Sequence, residues 1–141
     1  MLPGGLIDTG TIIAILDASA DRHQPCLEAL ARHMPLLTTE AVLTELFYFI
    51  QERSLNMESA WRFVRSGAIQ LQSMSDAVLP ELHALMAKYA DRPMDFADAT
   101  LVYLAASRCL STILTIDHDD FETYRLPGGK KFTILPSRSR R

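Results

Sequence analysis

Short apolar segments alternate with helical segments along the chain, and this alternation constrains the fold more than any other feature of the sequence. The apolar segments have the length of strands: GLID (5–8), LLT (36–38), AIQLQ (68–72), STILTI (111–116) and, near the end, KFTIL (131–135). One or two helical segments separate each of the first four from the next. Strands joined through helices lie parallel, with both faces of the sheet covered. The pattern predicts an α/β protein, a three-layer α/β/α sandwich with a central, mostly parallel sheet of four to five strands.

Side chains that can cap free N–H groups mark the helix starts. An apolar helix follows the first strand, and residues 23–34 have amphipathic spacing. The remaining predicted helices run from Thr39 to about Arg53, from Asn56 to about Arg65, from Ser75 or Asp76 to about Tyr89, and from Asp95 to about Arg108.

Length and composition bound the organisation of the protein. The 141 residues fit one domain, which we assign to residues 1–136, followed by a basic tail (137–141) that we expect to be disordered. No apolar run approaches the roughly 18 residues of a membrane span, and the N-terminus lacks the pattern of a signal peptide, so we expect a cytoplasmic protein. Cys26 and Cys109 match no metal-ligand spacing and are predicted to be buried free thiols.

Acidic residues stand where the predicted strands end. Asp8 follows the first strand and Asp117 the fourth, while Glu45 lies within the apolar helix segment VLTELFYFI. Asp95 and Asp98 open the helix DFADATLVYLAA. Each residue alone has a simpler interpretation: Asp8 and Asp95 as helix caps, and Glu45 as a half-exposed residue at the rim of its helix. Asp98 is the better functional residue of its pair, because it points toward the strand ends.

If Asp8, Glu45, Asp98 and Asp117 converge, something must neutralise their mutual repulsion. Two carboxylates about 4 Å apart repel by roughly 4 kcal/mol at an effective dielectric constant near 20. Hard divalent cations such as Mg²⁺ or Mn²⁺ neutralise such clusters, bind phosphate oxygens and activate water. The four histidines share no zinc-ligand spacing. The acids alone therefore indicate a metal-dependent phosphodiesterase or phosphatase.

Four segments resemble one known family, the PIN-domain ribonucleases, and in particular VapC-type toxins of toxin-antitoxin pairs. The segments are LIDTGTIIAILDASADRH, LLTTEAVLTELFYFI, MDFADATLVYLAA and ILTIDHDDF. The last is similar to the family signature T-x-D-x-x-D-F, carried here by Thr115, Asp117, Asp120 and Phe121. The segments run from residue 6 to 121 in the order of the family.

The resemblance implies a Mg²⁺- or Mn²⁺-dependent endoribonuclease that cuts single-stranded RNA with a metal-activated water. Asp8, Glu45, Asp98 and Asp117 carry over as the acidic quartet that holds the metal. Thr9 or Thr115 would hydrogen-bond a carboxylate or a phosphate, and Asp95 and Asp120 are secondary candidates. The resemblance also implies a homodimer and an antitoxin protein whose Arg or Lys enters the acidic cleft.

Several residues near these motifs, and two other classes of protein, fit parts of the sequence. Asp119 and Asp120 are expected to shape the turn after Asp117, and Arg125 is a weak candidate for a phosphate contact or a structural salt bridge. Phe121 and Tyr124 are expected to pack, although an exposed Tyr could stack on a base. Trp61 is expected to lie in the core or in a dimer interface. A haloacid-dehalogenase-like phosphatase would need a second Asp where Gly10 stands. A non-catalytic interaction module applies if the acids do not converge.

Overall fold

The computed structural model describes residues 2–138, which form five strands and seven α-helices. The strands are β1 (Leu6–Ile7), β2 (Leu36–Thr38), β3 (Ile69–Leu71), β4 (Thr112–Leu114) and β5 (Thr133–Leu135). The helices are α1 (Thr9–Leu16), α2 (His23–His33), α3 (Glu40–Glu52), α4 (Met57–Val64), α5 (Leu79–Lys88), α6 (Phe96–Arg108) and α7 (His118–Thr123), with 3₁₀ turns at Asp76–Val78 and Pro127–Gly129.

All five strands are parallel and lie in the order β3-β2-β1-β4-β5. The central strand β1 pairs with β2 on one side and with β4 on the other. Leu6 and Ile7 of β1 and Ile113 and Leu114 of β4 are fully buried, because helices cover both faces of the sheet. The predicted α/β/α architecture is confirmed, and KFTIL does supply an edge strand.

The direction of the chain reverses between β1 and β4. From β1 through β2 to β3 the chain moves toward one edge, and it then crosses back to β4 and continues to β5 at the other edge. Right-handed crossovers place the helices of these two halves on opposite faces of the sheet. Open parallel sheets bind ligands at such a switch point, beyond the carboxyl ends of the strands. Asp8 and Asp117 follow the two strands that flank it.

Capping side chains begin several helices where the sequence predicted them. Thr39 accepts a hydrogen bond from the backbone N–H of Val42, Asn56 from Ser59, and Asp95 from Asp98. Thr39 also hydrogen-bonds the Thr100 hydroxyl at 2.8 Å, both residues being fully buried. This contact ties the start of α3 to α6, which brings the helices that carry Glu45 and Asp98 to the same edge of the sheet.

The two cysteines lie in different environments. Cys26 is a buried free thiol as predicted, but the prediction for Cys109 is wrong, since Cys109 is exposed. It caps the C-terminal end of α6 in the left-handed conformation (φ 54°), beyond the apolar face of the helix. Among residues 2–138, no helix is long and apolar enough to cross a membrane.

The predicted basic tail begins within the described part of the chain. Arg22 donates a hydrogen bond to the carbonyl oxygen of Ser137. Arg138 forms ion pairs with Asp119 at 2.5 Å and with Glu122 at 3.1 Å. The prediction for residues 139–141 lies outside the described residues.

Candidate functional site

Asp8 stands at the carboxyl end of β1 and is the N-cap of α1. Its Oδ1 accepts a hydrogen bond from the backbone N–H of Thr9 at 2.7 Å, and its Oδ2 accepts one from the Thr115 hydroxyl at 3.2 Å. Burial, together with the negative charges of Glu45 and Asp95, raises the pKa of Asp8 to about 7. The capping interpretation and the functional one are therefore compatible, because the same side chain both caps α1 and carries a strongly perturbed charge.

Glu45 reaches the same region from α3. The Thr9 hydroxyl donates a hydrogen bond to its Oε1 at 2.8 Å and lies 3.4 Å from the carbonyl oxygen of Val42. The Glu45 side chain is half-buried, and burial followed by the negative charge of Asp95 raises its pKa. Thr9 thus links the first strand end to the helix that carries Glu45.

Asp98 lies in the first turn of α6 and is only 6% exposed. The Tyr124 hydroxyl donates a hydrogen bond to its Oδ2 at 2.7 Å, and the backbone N–H of Asp98 donates to Asp95 at 2.7 Å. Burial and the negative charge of Asp8 raise the pKa of Asp98 to about 8, against the opposing effect of the Tyr124 hydrogen bond. Burial of a carboxyl group whose side-chain partner is a neutral hydroxyl favours its protonated form.

Asp117 is exposed and is the N-cap of α7. Its backbone N–H donates to the Thr115 hydroxyl at 3.0 Å, and its Oδ1 accepts from the backbone N–H of Asp120 at 3.3 Å. Desolvation and the interaction with Asp120 raise its pKa. Thr115 therefore connects the two strand ends, since it donates to Asp8 and accepts from Asp117.

The structure brings the predicted acids together to different degrees. Asp8, Glu45, Asp95 and Asp98 act on one another electrostatically, which makes Asp95 a closer neighbour of the cluster than its role as a cap required. Asp117 joins through Thr115 rather than by direct charge interaction. Within residues 2–138, no three His, Cys, Asp or Glu side chains lie in an arrangement ready to enclose a metal ion.

The remaining candidates lie at the border of the site or serve the fold. Asp120 pairs with Arg92 at 3.5 Å, and Asp119 pairs with Arg138. Arg125 donates to the carbonyl oxygens of Glu122, Thr123 and Tyr124, so its guanidinium group satisfies the C-terminal end of α7.

Tyr124 is the site residue that the sequence did not reveal as one. Tyr124 and Phe121 are predicted to pack, and both side chains are indeed buried, with ring centroids 5.1 Å apart. The hydroxyl contact with Asp98 spans 26 positions of the chain. The signal available in the sequence was indirect: a carboxylate in an apolar helix start needs a buried donor, and a tyrosine supplies one.

The chemistry of these donors suits a hard divalent cation. The quartet offers carboxylate oxygens, its hydrogen-bond donors are hydroxyls and backbone N–H groups, and the ion pairs found in residues 2–138 involve Asp119, Asp120 and Glu122 instead. A bound cation would offset both the burial and the mutual repulsion that raise the pKa values of these carboxylates. Mg²⁺ and Mn²⁺ prefer such oxygen ligands.

Asp98 makes the free energy of unfolding depend on pH in a defined direction. The unfolded chain ionises this residue near its ordinary pKa of about 4, whereas the folded chain ionises it at about 8. Because the folded chain holds this proton more tightly than the unfolded chain does, protonated Asp98 contributes to the free energy of unfolding. This contribution is fully present below about pH 4 and is lost progressively as the pH rises to about 8. In buffer with EDTA, Asp98→Asn should be more stable than the wild type by about 1–3 kcal/mol at pH 8.5 and by clearly less at pH 5.

Urea denaturation at pH 5, 6.5 and 8.5 measures this difference. The exposed Asp21→Asn is the matched control and should show no such trend. If Asp98→Asn is less stable than the wild type at pH 8.5, then the ionised carboxylate of Asp98 stabilises the folded state and the prediction is wrong.

Comparison with known proteins identifies the family. The PIN domain family model matches residues 5–126. Ribonuclease VapC26 of Mycobacterium tuberculosis is 32% identical over 136 residues, which cover 93% of this chain and 99% of VapC26.

Solved structures of low sequence identity share the fold. Mycobacterium tuberculosis VapC20, a sarcin-ricin loop cleaving toxin, superposes with a TM-score of 0.72 at 17% identity, over 82% of this chain and 93% of VapC20. VapBC2 of Rickettsia felis, bound to a DNA fragment from its promoter, gives a TM-score of 0.65 at 15% identity, over 94% and 98% of the two chains. With its motifs, topology and acidic edge in agreement, the chain belongs to the PIN domain family.

Proposed function

We propose that the protein is a metal-dependent endoribonuclease that cuts single-stranded RNA, and that it acts as the toxin of a VapC-type toxin-antitoxin pair. The observation that carries the proposal is the acidic cluster at the switch point of the sheet, where Asp8, Glu45 and Asp98 have raised pKa values. Membership of the PIN domain family and the similarity to ribonuclease VapC26 support the choice of RNA over other phosphodiesters.

The residues that would hold the ion are Asp8, Glu45, Asp98 and Asp117. A bound Mg²⁺ or Mn²⁺ supplies positive charge for the phosphate oxygens and activates the water that attacks phosphorus. Asp95 adds negative charge from the edge of the cluster, and Asp120 interacts with Asp117.

Three hydroxyl groups orient the carboxylates. Thr9 fixes Glu45, Thr115 fixes Asp8 and the backbone of Asp117, and Tyr124 fixes Asp98. Each contact selects one oxygen and one side-chain rotamer, so the carboxylates need little rearrangement when a cation and a phosphate enter. These hydroxyls are neutral and leave the negative charge of the site intact.

Activity should depend on both the metal and the first aspartate. Purified protein with Mg²⁺ or Mn²⁺ should cleave a labelled single-stranded RNA, and EDTA should abolish cleavage. Asp8→Asn should lower the rate at least about 100-fold, because a neutral amide does not balance the charge of the cation. Gel analysis of the products measures the rate.

Asp21→Asn is again the control and should cleave like the wild type. Cleavage that persists in EDTA, or full activity in Asp8→Asn, would refute the proposed chemistry. A chain that binds RNA without cleaving it would instead be the non-catalytic interaction module.

Tyr124 should matter for metal affinity as well as for packing. Tyr124→Phe keeps the buried ring and removes the hydrogen bond that favours the ionised form of Asp98. We expect Mn²⁺ to bind about 10-fold more weakly to this variant, as is usual when a partner of a ligand is lost.

Calorimetric titration with Mn²⁺ measures the affinity, and Tyr103→Phe on α6 is the matched control. Equal affinity in Tyr124→Phe and the wild type would limit Tyr124 to a packing role.

The acidic cluster would also be the binding site for an antitoxin. A cleft lined by carboxylates suits a basic side chain of a protein partner, which would take the place of the cation. Expression of the chain alone should arrest growth of a bacterial host, and co-expression with the product of an adjacent short reading frame should restore it. Asp8→Asn should be harmless in the same assay. Arrest by Asp8→Asn, or arrest that every neighbouring product fails to relieve, would contradict the toxin assignment.

We also propose a cytoplasmic homodimer. Tyr48 on α3 is 60% exposed and Trp61 on α4 is 46% exposed, and the Trp61 ring packs on Phe47 with centroids 4.5 Å apart. Exposed aromatic side chains on adjacent helices are typical of protein interfaces. The exposure of Trp61 favours the interface interpretation over the core. Sedimentation of the native protein, compared with 15.8 kDa for one chain, tests the assembly.

A further inference from the structure

Phe96 is a large apolar side chain exposed beside the acidic cluster. It is the first residue of α6, between Asp95 and the turn that carries Asp98, and 47% of its surface is exposed. Its neighbours in sequence, Ala97 to Leu101, are almost entirely buried. The exposed part of the ring contributes little to the core and is free to contact a ligand at this edge.

The ring forms one wall of a cavity that adjoins the proposed metal ligands. The cavity has a volume of about 420 Å³ and opens to solvent. Apolar and acidic side chains share its lining: Glu40, Ala41, Thr44, Glu45, Phe96 and Ala97. Because Glu45 belongs both to this lining and to the quartet, an occupant of the cavity lies next to the site of chemistry.

The charge of the lining selects the kind of occupant. Glu40 and Glu45 repel a phosphate group, whereas a Glu40 oxygen can accept a hydrogen bond from the amino group of a base. Glu40 is held in place, since its Oε1 accepts a hydrogen bond from the backbone N–H of Met74 at 3.0 Å. Phe96, Ala41 and Ala97 supply an apolar surface that suits the face of a planar ring. The cavity therefore fits a nucleobase better than it fits the backbone of a nucleic acid.

A second apolar side chain borders the acids from the segment that follows β4. Ile116 is 43% exposed between Thr115 and Asp117. Gly10 permits its position, because a Cβ on Gly10 would lie 2.9 Å from Cγ1 of Ile116. Ile116 thus adds a second exposed apolar side chain next to one of the proposed metal ligands, Asp117.

We infer that Phe96 is a substrate-binding residue that stacks on a nucleobase of single-stranded RNA, next to the phosphate that is cut, with the base seated in the cavity between α3 and α6. The inference rests on the proposed function for the position of the scissile phosphate. Base stacking on an aromatic ring is tolerant of sequence and strengthens binding about 5- to 100-fold. It supplies affinity that an acidic edge cannot draw from the phosphates.

The first experiment compares Phe96→Leu, which keeps an apolar side chain, with Phe96→Trp, which keeps an aromatic one. With Mg²⁺ and a short single-stranded RNA, Phe96→Leu should raise KM about 10-fold with a smaller effect on kcat, and Phe96→Trp should restore the wild-type KM. The exposed Leu79→Ala on α5 is the control. Unchanged KM in Phe96→Leu overturns the inference.

The second experiment replaces single bases of the RNA by abasic sites. One abasic position beside the cut should raise the KM of the wild type about as much as Phe96→Leu does. That position should add little to the KM of Phe96→Leu itself, because both changes remove the same contact. Additive effects at every position overturn the inference.

Binding of the same RNA in EDTA separates this inference from the proposed activity. If the wild type cleaves RNA but Phe96→Leu matches it in KM and binding, the inference alone is wrong. If the wild type binds RNA through Phe96 but does not cleave it, the proposed activity alone is wrong. If Phe96→Leu leaves RNA binding intact but lowers the sedimenting mass, Phe96 belongs to a protein interface and the inference is overturned.

Discussion

Carboxylates from separate elements are held at one edge of a parallel sheet, where burial and their mutual repulsion both disfavour negative charge. Asp8 and Asp117 follow β1 and β4, and Glu45 and Asp98 lie on α3 and α6. Burial first, and the neighbouring carboxylates second, raise the pKa of Asp8 to about 7 and that of Asp98 to about 8. A proton and a divalent cation compete for the same oxygens, so the arrangement that costs stability is also the one that favours a metal.

The topology of the sheet explains why these residues meet. Asp8 and Asp117 flank the switch point, and the Thr39–Thr100 hydrogen bond draws α3 and α6 together above it. Asp8, Asp95 and Asp117 also cap helices, and the partial positive charge of a helix N-terminus reduces the cost of each carboxylate. Capping does not give Asp8 an ordinary pKa, because burial and the charges of Glu45 and Asp95 still raise it to about 7. Local stability and a shared charged site are therefore built from the same side chains.

The sequence predicted the elements of this fold closely and its side-chain contacts only in part. Alternating apolar segments and caps such as Thr39 and Asn56 are local signals, and the structure follows them. The hydrogen bond from Tyr124 to Asp98 depends on how α7 packs against α6, which no local pattern records. Cys109 was misassigned for a similar reason: its apolar character indicated burial, but the end of α6 turns it outward. The acids were found because strand ends concentrate function, while the degree of their convergence depended on rotamers that only the structure supplies.

An acidic site that handles RNA must obtain its affinity from something other than basic side chains. The chain carries a net charge of −3, and three arginines that contact α7 or its C-terminal end are engaged with protein oxygens: Arg92, Arg125 and Arg138. Proteins that bind phosphates with Lys and Arg gain affinity from the counterions that are released. An edge lined by carboxylates gains little affinity in this way. The proposed cation would bind the phosphate that is cut, and the exposed side chains of Phe96 and Ile116 would contact the bases. The cation would then supply the positive charge that the phosphate needs, and the apolar contacts would supply affinity that does not depend on charge.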